Sequence, residues 1–146
     1  MIRWRNFLHW HWWRRRETLP VHLQRGRLGE RMARKHLRRL GMKFLVANFR
    51  SNRGEIDLIF RDGDCLVFVE VKTRSREDWV RPAAAIDQER RRRLSQCAFD
   101  YLRRLNRPPV KTRFDVVEVL LGEDGRVREI RHLPNTFPMP APHRYG

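Results

Sequence analysis

Lysine is scarce in this basic chain: of 33 basic residues, 4 are lysine and 29 are arginine. Cysteine occurs only at Cys65 and Cys97, and neither belongs to a C-x-x-C pair. The spacing of a structural zinc site is therefore missing, and two buried free thiols in a reducing cytoplasm are expected. No apolar run approaches the ~20 residues of a membrane span, which argues against stable membrane insertion. Met1 to Arg16 mixes Trp4, Trp10, Trp12 and Trp13 with arginine and lacks both an uninterrupted apolar core and a small-residue cleavage site. A secretory signal is not indicated. A glycine-rich phosphate loop is also missing. The six histidines are scattered, with His9 and His11 near the start and His36 beside a helix's apolar side. None forms a metal or triad arrangement.

What the chain does have is positive charge, +16 net over 146 residues, with a pI of about 11.5. Such a charge opposes compactness through self-repulsion, and a polyanionic partner is the natural reason to carry it. Arginine suits bidentate phosphate contact and stacking on bases. Codon bias in a GC-rich genome accounts equally well for arginine over lysine, but not for the excess of basic over acidic residues. With 40% apolar and 34% charged residues the composition is polar without being that of a disordered chain. The length suits one domain with one ordinary core.

Residues 1–20 read as a basic Trp/Arg-rich tail ending at Pro20. A bland tail, an upstream start codon, an interfacial membrane segment and a nucleic-acid arm all stay open for it. Residues 21–133 carry the element signals. From Val21 to Leu40 the apolar positions 28, 32, 33, 37 and 40 have helical spacing, with Arg and Lys on the other face. Gly41 suits the C-cap. Lys43 to Phe49 reads as a strand, and Ser51-Asn52-Arg53-Gly54 as a turn. Strands Glu55–Arg61 and Cys65–Lys72 are joined through Asp62-Gly63-Asp64, a hairpin signal. A polar loop runs from Thr73 to Arg81. The spacing then predicts a helix from Pro82 to about Leu105, with Ala85, Leu94, Ala98, Tyr101, Leu102 and Leu105 near one face. After Pro108-Pro109 come strand Arg113–Leu121, a turn at Glu123-Asp124-Gly125 and a short strand Val127–Leu133. Residues 134–146 form a Pro-rich, extended tail. This order predicts an α/β fold, a mixed β-sheet flanked by helices.

The chemistry concentrates in Gly54-Glu55-Ile56-Asp57-Leu58-Ile59 and Val69-Glu70-Val71-Lys72. Side chains alternate along a strand, so Glu70 and Lys72 share a face. The hairpin brings Asp57 near Glu70, without simple register setting them directly opposite. Three ionisable groups thus converge among Ile, Leu, Val and Phe, where burying charge is costly without partners. Two close carboxylates also repel and raise a pKa. A hard divalent cation resolves the repulsion, since Mg²⁺ often binds through one or two carboxylates plus phosphate oxygens. Lys72 then supplies positive charge beside a transition state or positions the attacking water. An Asp–Lys–Glu cluster at an exposed sheet edge is the alternative.

These runs, with Phe68-Val69-Glu70-Val71-Lys72-Thr73-Arg74, Arg113-Phe114-Asp115-Val116-Val117, and Gly29-Glu30 with Ala33, Leu37 and Gly41, resemble the YraN-like uncharacterised protein family. The resemblance covers roughly Gly26 to Phe137. That family is similar to the PD-(D/E)xK nuclease superfamily with its restriction-endonuclease-like fold, especially archaeal Holliday-junction resolvases. The resemblance implies metal ligands at Asp57 and Glu70, a catalytic lysine at Lys72 and an additional acidic residue, Glu30, on the first helix. Glu30 also stands one turn before Arg34, so an ordinary i,i+4 surface pair is the alternative. Two departures stand out. The family often has an aromatic-Gly pair where Trp79 is followed by Val80, and a lysine where this chain has Arg90. Arg90 can hold a phosphate but is a poor proton donor or acceptor. Within Arg90-Arg91-Arg92-Arg93 at most two side chains can share one contact surface. Asp115 is expected to be a sheet-edge or loop-anchoring carboxylate.

The expectation is a cytoplasmic Mg²⁺- or Mn²⁺-dependent endonuclease acting on DNA or RNA. Asp57, Glu70 and Glu30 would hold the metal, Lys72 would stabilise charge or orient water, and Arg53, Arg74, Arg90 and Arg93 would contact nucleic acid. By analogy with resolvases alone, the substrate is branched or junction DNA and the enzyme a homodimer. A nucleic-acid-binding module without cleavage is the second reading. A membrane-surface or assembly-associated protein acting through its N-terminal tail is the third.

Overall fold

The computed structural model describes residues 19–75 and 86–139. The expected Trp/Arg tail up to residue 18, Trp79-Val80, Pro82, Ala85 and residues 140–146 lie outside the described residues. The elements are α1 (Val21–Arg39), β1 (Lys43–Ser51), β2 (Gly54–Asp62), β3 (Cys65–Ser75), α2 (Gln88–Arg104), β4 (Lys111–Leu121) and β5 (Val127–Phe137). They form one five-stranded sheet in the order β1-β2-β3-β4-β5. The β3–β4 pair is parallel and is connected through α2; the other three pairs are antiparallel. This is the expected α/β class, a mixed sheet with flanking helices, and is consistent with a restriction-endonuclease-like fold. Among the described residues no helix is long and apolar enough to cross a membrane.

Local chemistry sets the element ends. Gly41 follows α1 at φ +89°. The Gly41 N–H donates to Arg38 O and the Met42 N–H to Leu37 O, at 3.0 and 3.2 Å. This is a Schellman closure, and Met42 packs in the same core cluster as Leu37. Leu40, expected on the apolar stripe, instead caps the helix and is 55% exposed. The β2–β3 loop is Gly63-Asp64, with Gly63 at φ +59° in the first central position, as a type II′ hairpin requires. The second helix is shorter than the spacing predicts. Ile86 and Asp87 are not helical, and Asp87 caps α2 by accepting the Arg90 N–H at 2.8 Å. Leu105 lies beyond its last turn, exposed. Strand β3 runs on through Thr73 to Ser75, into the expected loop. Strand β5 continues through Pro134 to Phe137, four residues into the stretch read as a tail.

Each face of the sheet buries one helix. Ala33 and Leu37 of α1 pack on Leu58, Phe60, Val67 and Val117. Leu94, Ala98 and Leu102 of α2 pack on Ile56, Ile59, Phe68 and Phe114. Each fully buried Leu, Ile, Val or Phe side chain among them contributes ~1.5–3 kcal/mol relative to exposure. Cys97 is buried in the α2 cluster and Cys65 only half-buried; both are free thiols.

Beside bulges elsewhere in the sheet, the alternation of faces fails at one place that bears on the acids. In β2, Leu58 and Phe60 face α1, yet Ile56 packs on the α2 side. A strict period of two would put Ile56 with Leu58. In β1, Asn48 has φ +52° and neighbouring Phe49 also turns to the α2 side. Asn48 and Asp57 are the register positions between the pairs Phe49↔Ile56 and Ala47↔Leu58. Both strands therefore change phase together at Asp57.

Asp115 corrects one expectation. It lies on β4, which is internal to the sheet, not at an edge. Its anchoring role is present: the buried carboxylate accepts from Arg113 Nε at 3.0 Å and the Asn135 N–H at 3.0 Å, and pairs with His132 Nε2 at 2.7 Å. Here the β4–β5 register shifts between Phe114 and Val116. Pro134, which has no N–H to offer a ladder, falls within this irregularity.

Two predictions follow from the packing. A Cβ on Gly29 would fall inside the van der Waals radius of Thr73 Oγ1. Gly29→Ala should destabilise the fold by about 1–3 kcal/mol, since overpacking outweighs the ~1 kcal/mol gain in helix propensity. The double variant with Thr73→Ala should recover most of the loss in denaturant melts. Asp115→Asn should cost about 3 kcal/mol at neutral pH. The partners of Asp115 hold its carboxyl below the ordinary range despite burial, His132 and Arg113 foremost. Its stabilisation is thus present above the unfolded value and lost as pH falls through the folded one. The variant's melting temperature should fall less steeply on acidification.

Candidate active site

Asp57 sits where β2 and β3 part. Their ladder runs from Asp62↔Cys65 to Leu58↔Val69, and Asp57 is the next register position, across from Glu70. In place of a ladder pair, Asp57 Oδ2 accepts the Val71 N–H at 2.7 Å. The carboxyl is largely taken out of water. Burial first and the nearby Glu70 carboxylate second push its pKa up to about 7, Glu30 adding to the rise; the Val71 hydrogen bond and Arg90 oppose it.

Residues of β3 alternate regularly. Leu66 and Phe68 lie in the α2-side core, and Glu70, Lys72 and Arg74 continue that parity. Glu70 is engaged at both oxygens by Arg90 of α2, at 2.9 Å each from Nη2. Lys72 is half-buried. Its ammonium pKa is lowered by burial and by Arg74, while Glu70 and Glu118 pull it back up. Glu118 was not foreseen from the sequence. It lies on β4 opposite Lys72 in the parallel register. It is only 3% exposed, and Arg74 Nε approaches it at 3.6 Å. Its Oε2 has no hydrogen-bond partner among the described residues. The available signal was an acid inside the run Val116-Val117-Glu118-Val119-Leu120-Leu121, since a buried strand of a parallel pair should read as continuously apolar.

Glu30 stands at the margin of this group. It does not pair with Arg34, whose guanidinium stacks on Phe44 at 3.5 Å from the ring centroid. Burial raises the pKa of its carboxyl, and the side chain of Asn48, the residue at the phase change, opposes the rise. The close passage of Gly29 over Thr73 brings this part of α1 against β3. An open cavity of about 610 Å³ lies here, lined by Arg25, Glu30, Val71, Thr73 and Arg74 among others. Glu30, Asp57 and Glu70 thus share one electrostatic neighbourhood. Among the described residues, no three His, Cys, Asp or Glu side chains converge closely enough to hold a metal by themselves.

The four arginines expected to contact nucleic acid each face a carboxylate. Arg53 is bidentate on Asp100, at 3.1 and 2.6 Å, and holds that carboxyl far below its ordinary pKa. Arg93 reaches Glu89 at 3.1 Å. Arg90 is on Glu70, and Arg74 on Glu118. Within the four-arginine run, Arg91 donates to Ile86 O and Arg92 to Glu89, so the side chains do point round the helix.

The donor set fits a hard divalent cation. The carboxylates Asp57 and Glu70 are neighbours, and the first has no ion-pair partner among the described residues, so a cation would favour its ionised form. Mg²⁺ and Mn²⁺ sites are commonly built from one or two carboxylates completed by water and phosphate oxygens. The folded-state pKa of Asp57 lies above the unfolded value of ~3.9. Its contribution therefore favours the fold below that value and is lost as pH rises through about 7. Asp57→Asn should raise the metal-free stability at pH 8 by on the order of 2 kcal/mol and leave it little changed at pH 4. Thermal melts at the two pH values in EDTA check this. Millimolar Mn²⁺ should raise the wild-type melting temperature at pH 8 and not that of the variant.

Comparison with known proteins places the chain. The model of the family described as "Uncharacterised protein family UPF0102" matches residues 29–119. The UPF0102 protein of Symbiobacterium thermophilum is 46% identical over 112 residues, 77% of this chain and 94% of that protein. The UPF0102 protein of Porphyromonas gingivalis is 40% identical over 118 residues, covering 81% and 87%. That of Rhodococcus opacus is 40% identical over 112 residues, covering 77% and 94%. The matched span runs from Gly29 beside Thr73, through Asp57, Glu70 and Lys72, to Glu118 and Val119, and on this the chain belongs to the uncharacterised protein family UPF0102.

Proposed function

We propose that this protein is a metal-dependent endonuclease of the PD-(D/E)xK type, hydrolysing phosphodiester bonds in nucleic acid. The observation that carries this reading is the Asp57–Glu70 pair. In a chain of net charge +16, two carboxylates are kept side by side at the opening of a hairpin, and Asp57 has no cationic partner at ion-pair distance among the described residues. A structural role would favour neutralising it, and arginine is abundant. A divalent cation fits that pair.

Asp57 and Glu70 would hold the ion, with Glu30 adding negative charge at its margin. When bound, the ion supplies Lewis-acid polarisation of the phosphate and a more acidic water. The protein's own residues do the rest. The Val71 N–H fixes the Asp57 carboxylate. Lys72, on the Glu70 face, offers an ammonium to the charge that develops on phosphate oxygens or to the attacking water. Its lowered pKa follows from burial and Arg74. Arg90 is a fork suited equally to carboxylate and phosphate. It holds Glu70 until a phosphate competes for it, and as a permanent cation it grips and does not transfer protons.

A second reading, a binding module without cleavage, draws on that same contact: Arg90 satisfies both Glu70 oxygens with no metal required. One assay separates the two. Labelled single-stranded, duplex, flap and four-way-junction DNA are incubated with Mg²⁺, Mn²⁺ or EDTA. For the endonuclease, cleavage needs metal and falls by about 10²–10³-fold or more in Glu70→Gln and Lys72→Met. Salt-sensitive binding with no cleavage, unaffected by both substitutions, makes the protein a binder. A preference for the junction, with a dimer in sedimentation, would extend the reading to junction resolution.

A further inference from the structure

We infer that the solvent face of α1, through Arg31, Arg34, Lys35, Arg38 and Arg39, is the surface on which the backbone of a nucleic-acid duplex rests outside the Asp57–Glu70 site. The inference rests on the nucleic-acid reading above and names the surface it uses.

The first observation is a contrast in pairing. Across the sheet and α2, most arginines are matched with acids, among them Arg53 with Asp100, Arg90 with Glu70, Arg113 with Asp62 and Asp115, and Arg128 with Asp124; Arg91 and Arg104 instead bond the Ile86 carbonyl and stack on Phe49, respectively. On α1 the only acid is Glu30. None of the five residues named lies within ion-pair distance of a carboxylate among the described residues. Together they line a groove of about 500 Å³ that has no other lining residue among the described ones.

The second observation is spacing. The five fall at i, i+3, i+4, i+7 and i+8, which is one stripe of a helix. The pairs 31/35, 34/38 and 35/39 are like charges at i,i+4, an unfavourable arrangement in an isolated helix. An anion laid along the stripe relieves it. The stripe is ~12 Å long, enough to meet about two successive phosphates of one duplex strand, which stand about twice the ~3.4 Å axial rise apart along the winding backbone.

The third observation is how two of the side chains are held. Arg34 and Arg38 lie over the Phe44 ring, at 3.5 and 5.2 Å from its centroid. Phe44 in turn packs edge-on against Phe60, centroids 5.5 Å apart. Stacking orders a guanidinium without neutralising it, so its charge remains for a phosphate.

The geometry selects among polyanions. The apolar stripe of α1, Gly29, Ala33 and Leu37, is buried against the sheet, so along the basic stripe the helix has no apolar face to sink into a lipid interface, its exposed apolar side chains standing only at its two ends. The one aromatic ring at the stripe is covered by two arginines, which leaves no platform for the bases of a single strand. A rigid row of cations suits the regular backbone of a duplex. Arg31, at the N-terminal end of the stripe, follows Glu30, whose carboxylate acts on Asp57.

The test uses the full chain and a fluorescein-labelled 20-base-pair DNA, read by anisotropy between 50 and 200 mM KCl. Arg31, Lys35 and Arg39 are exposed, so R31Q/K35Q/R39Q should fold as the wild type does. A control, R126Q/R128Q/R131Q on the β4–β5 hairpin, removes equal charge. Expected is a 10- to 100-fold weaker Kd at 100 mM salt for the α1 variant, with the log–log salt slope reduced by about two to three, and a change under threefold for the control. If wild type binds with a steep salt dependence and the α1 variant matches it, or both variants weaken equally, the surface is wrong while the nucleic-acid reading stands. If wild type fails to bind at 50 mM KCl, that reading fails as well. Tighter wild-type binding to the corresponding single strand overturns the duplex assignment. So does α1-dependent capture by phosphatidylserine vesicles with duplex binding intact.

Discussion

The Val71 amide donates to the Asp57 carboxylate at 2.7 Å, and the site is organised around that bond. A buried carboxylate beside a second carboxylate is unfavourable on both counts. The amide fixes where the acid stands and offsets part of that penalty, at the point where β2 and β3 stop pairing. It also marks the phase change shared with Asn48, which turns Ile56 and Phe49 toward α2 while Leu58 stays toward α1. Glu70, Lys72 and Arg74 need no such device. They follow from the regular alternation of β3, and α2 then brings Arg90 over Glu70.

How far this was readable in the sequence depends on the kind of signal. Periodicity and turn chemistry gave the elements and their order. Gly41 closes α1 and Gly63 turns the hairpin for the reasons that make glycine suited to positive φ. Boundaries were less legible where a tertiary partner decided them. Strand β5 passes through Pro134 because the Asp115 network holds the Asn135 backbone, and α2 starts at Gln88 because Asp87 caps it. Neither contact leaves a periodic trace.

The site was legible where it is local. Asp57 and Glu70 belong to one hairpin, and the turn fixes their proximity. Glu118 was hidden because its relation to Lys72 runs through a parallel pairing across the α2 crossover, which no short-range rule addresses. The arginine assignments had the opposite difficulty. Position along the chain could suggest which cations lie near the acids, but not which of them are already neutralised. Arg53 is a case in point, since its partner Asp100 is 47 residues away.

The parallel β3–β4 pair has a consequence for the order of assembly. The hairpin of β2 and β3 closes through a two-residue loop, so its contacts cost little chain entropy and can form early. Glu118 reaches Lys72 only after the chain has traversed α2, a non-local step that is intrinsically slower. The two repelling acids can therefore meet before β4 docks. A chain in which only the hairpin has formed holds the acidic pair while lacking the β4 carboxylate that faces Lys72 across the parallel pairing and that Arg74 approaches.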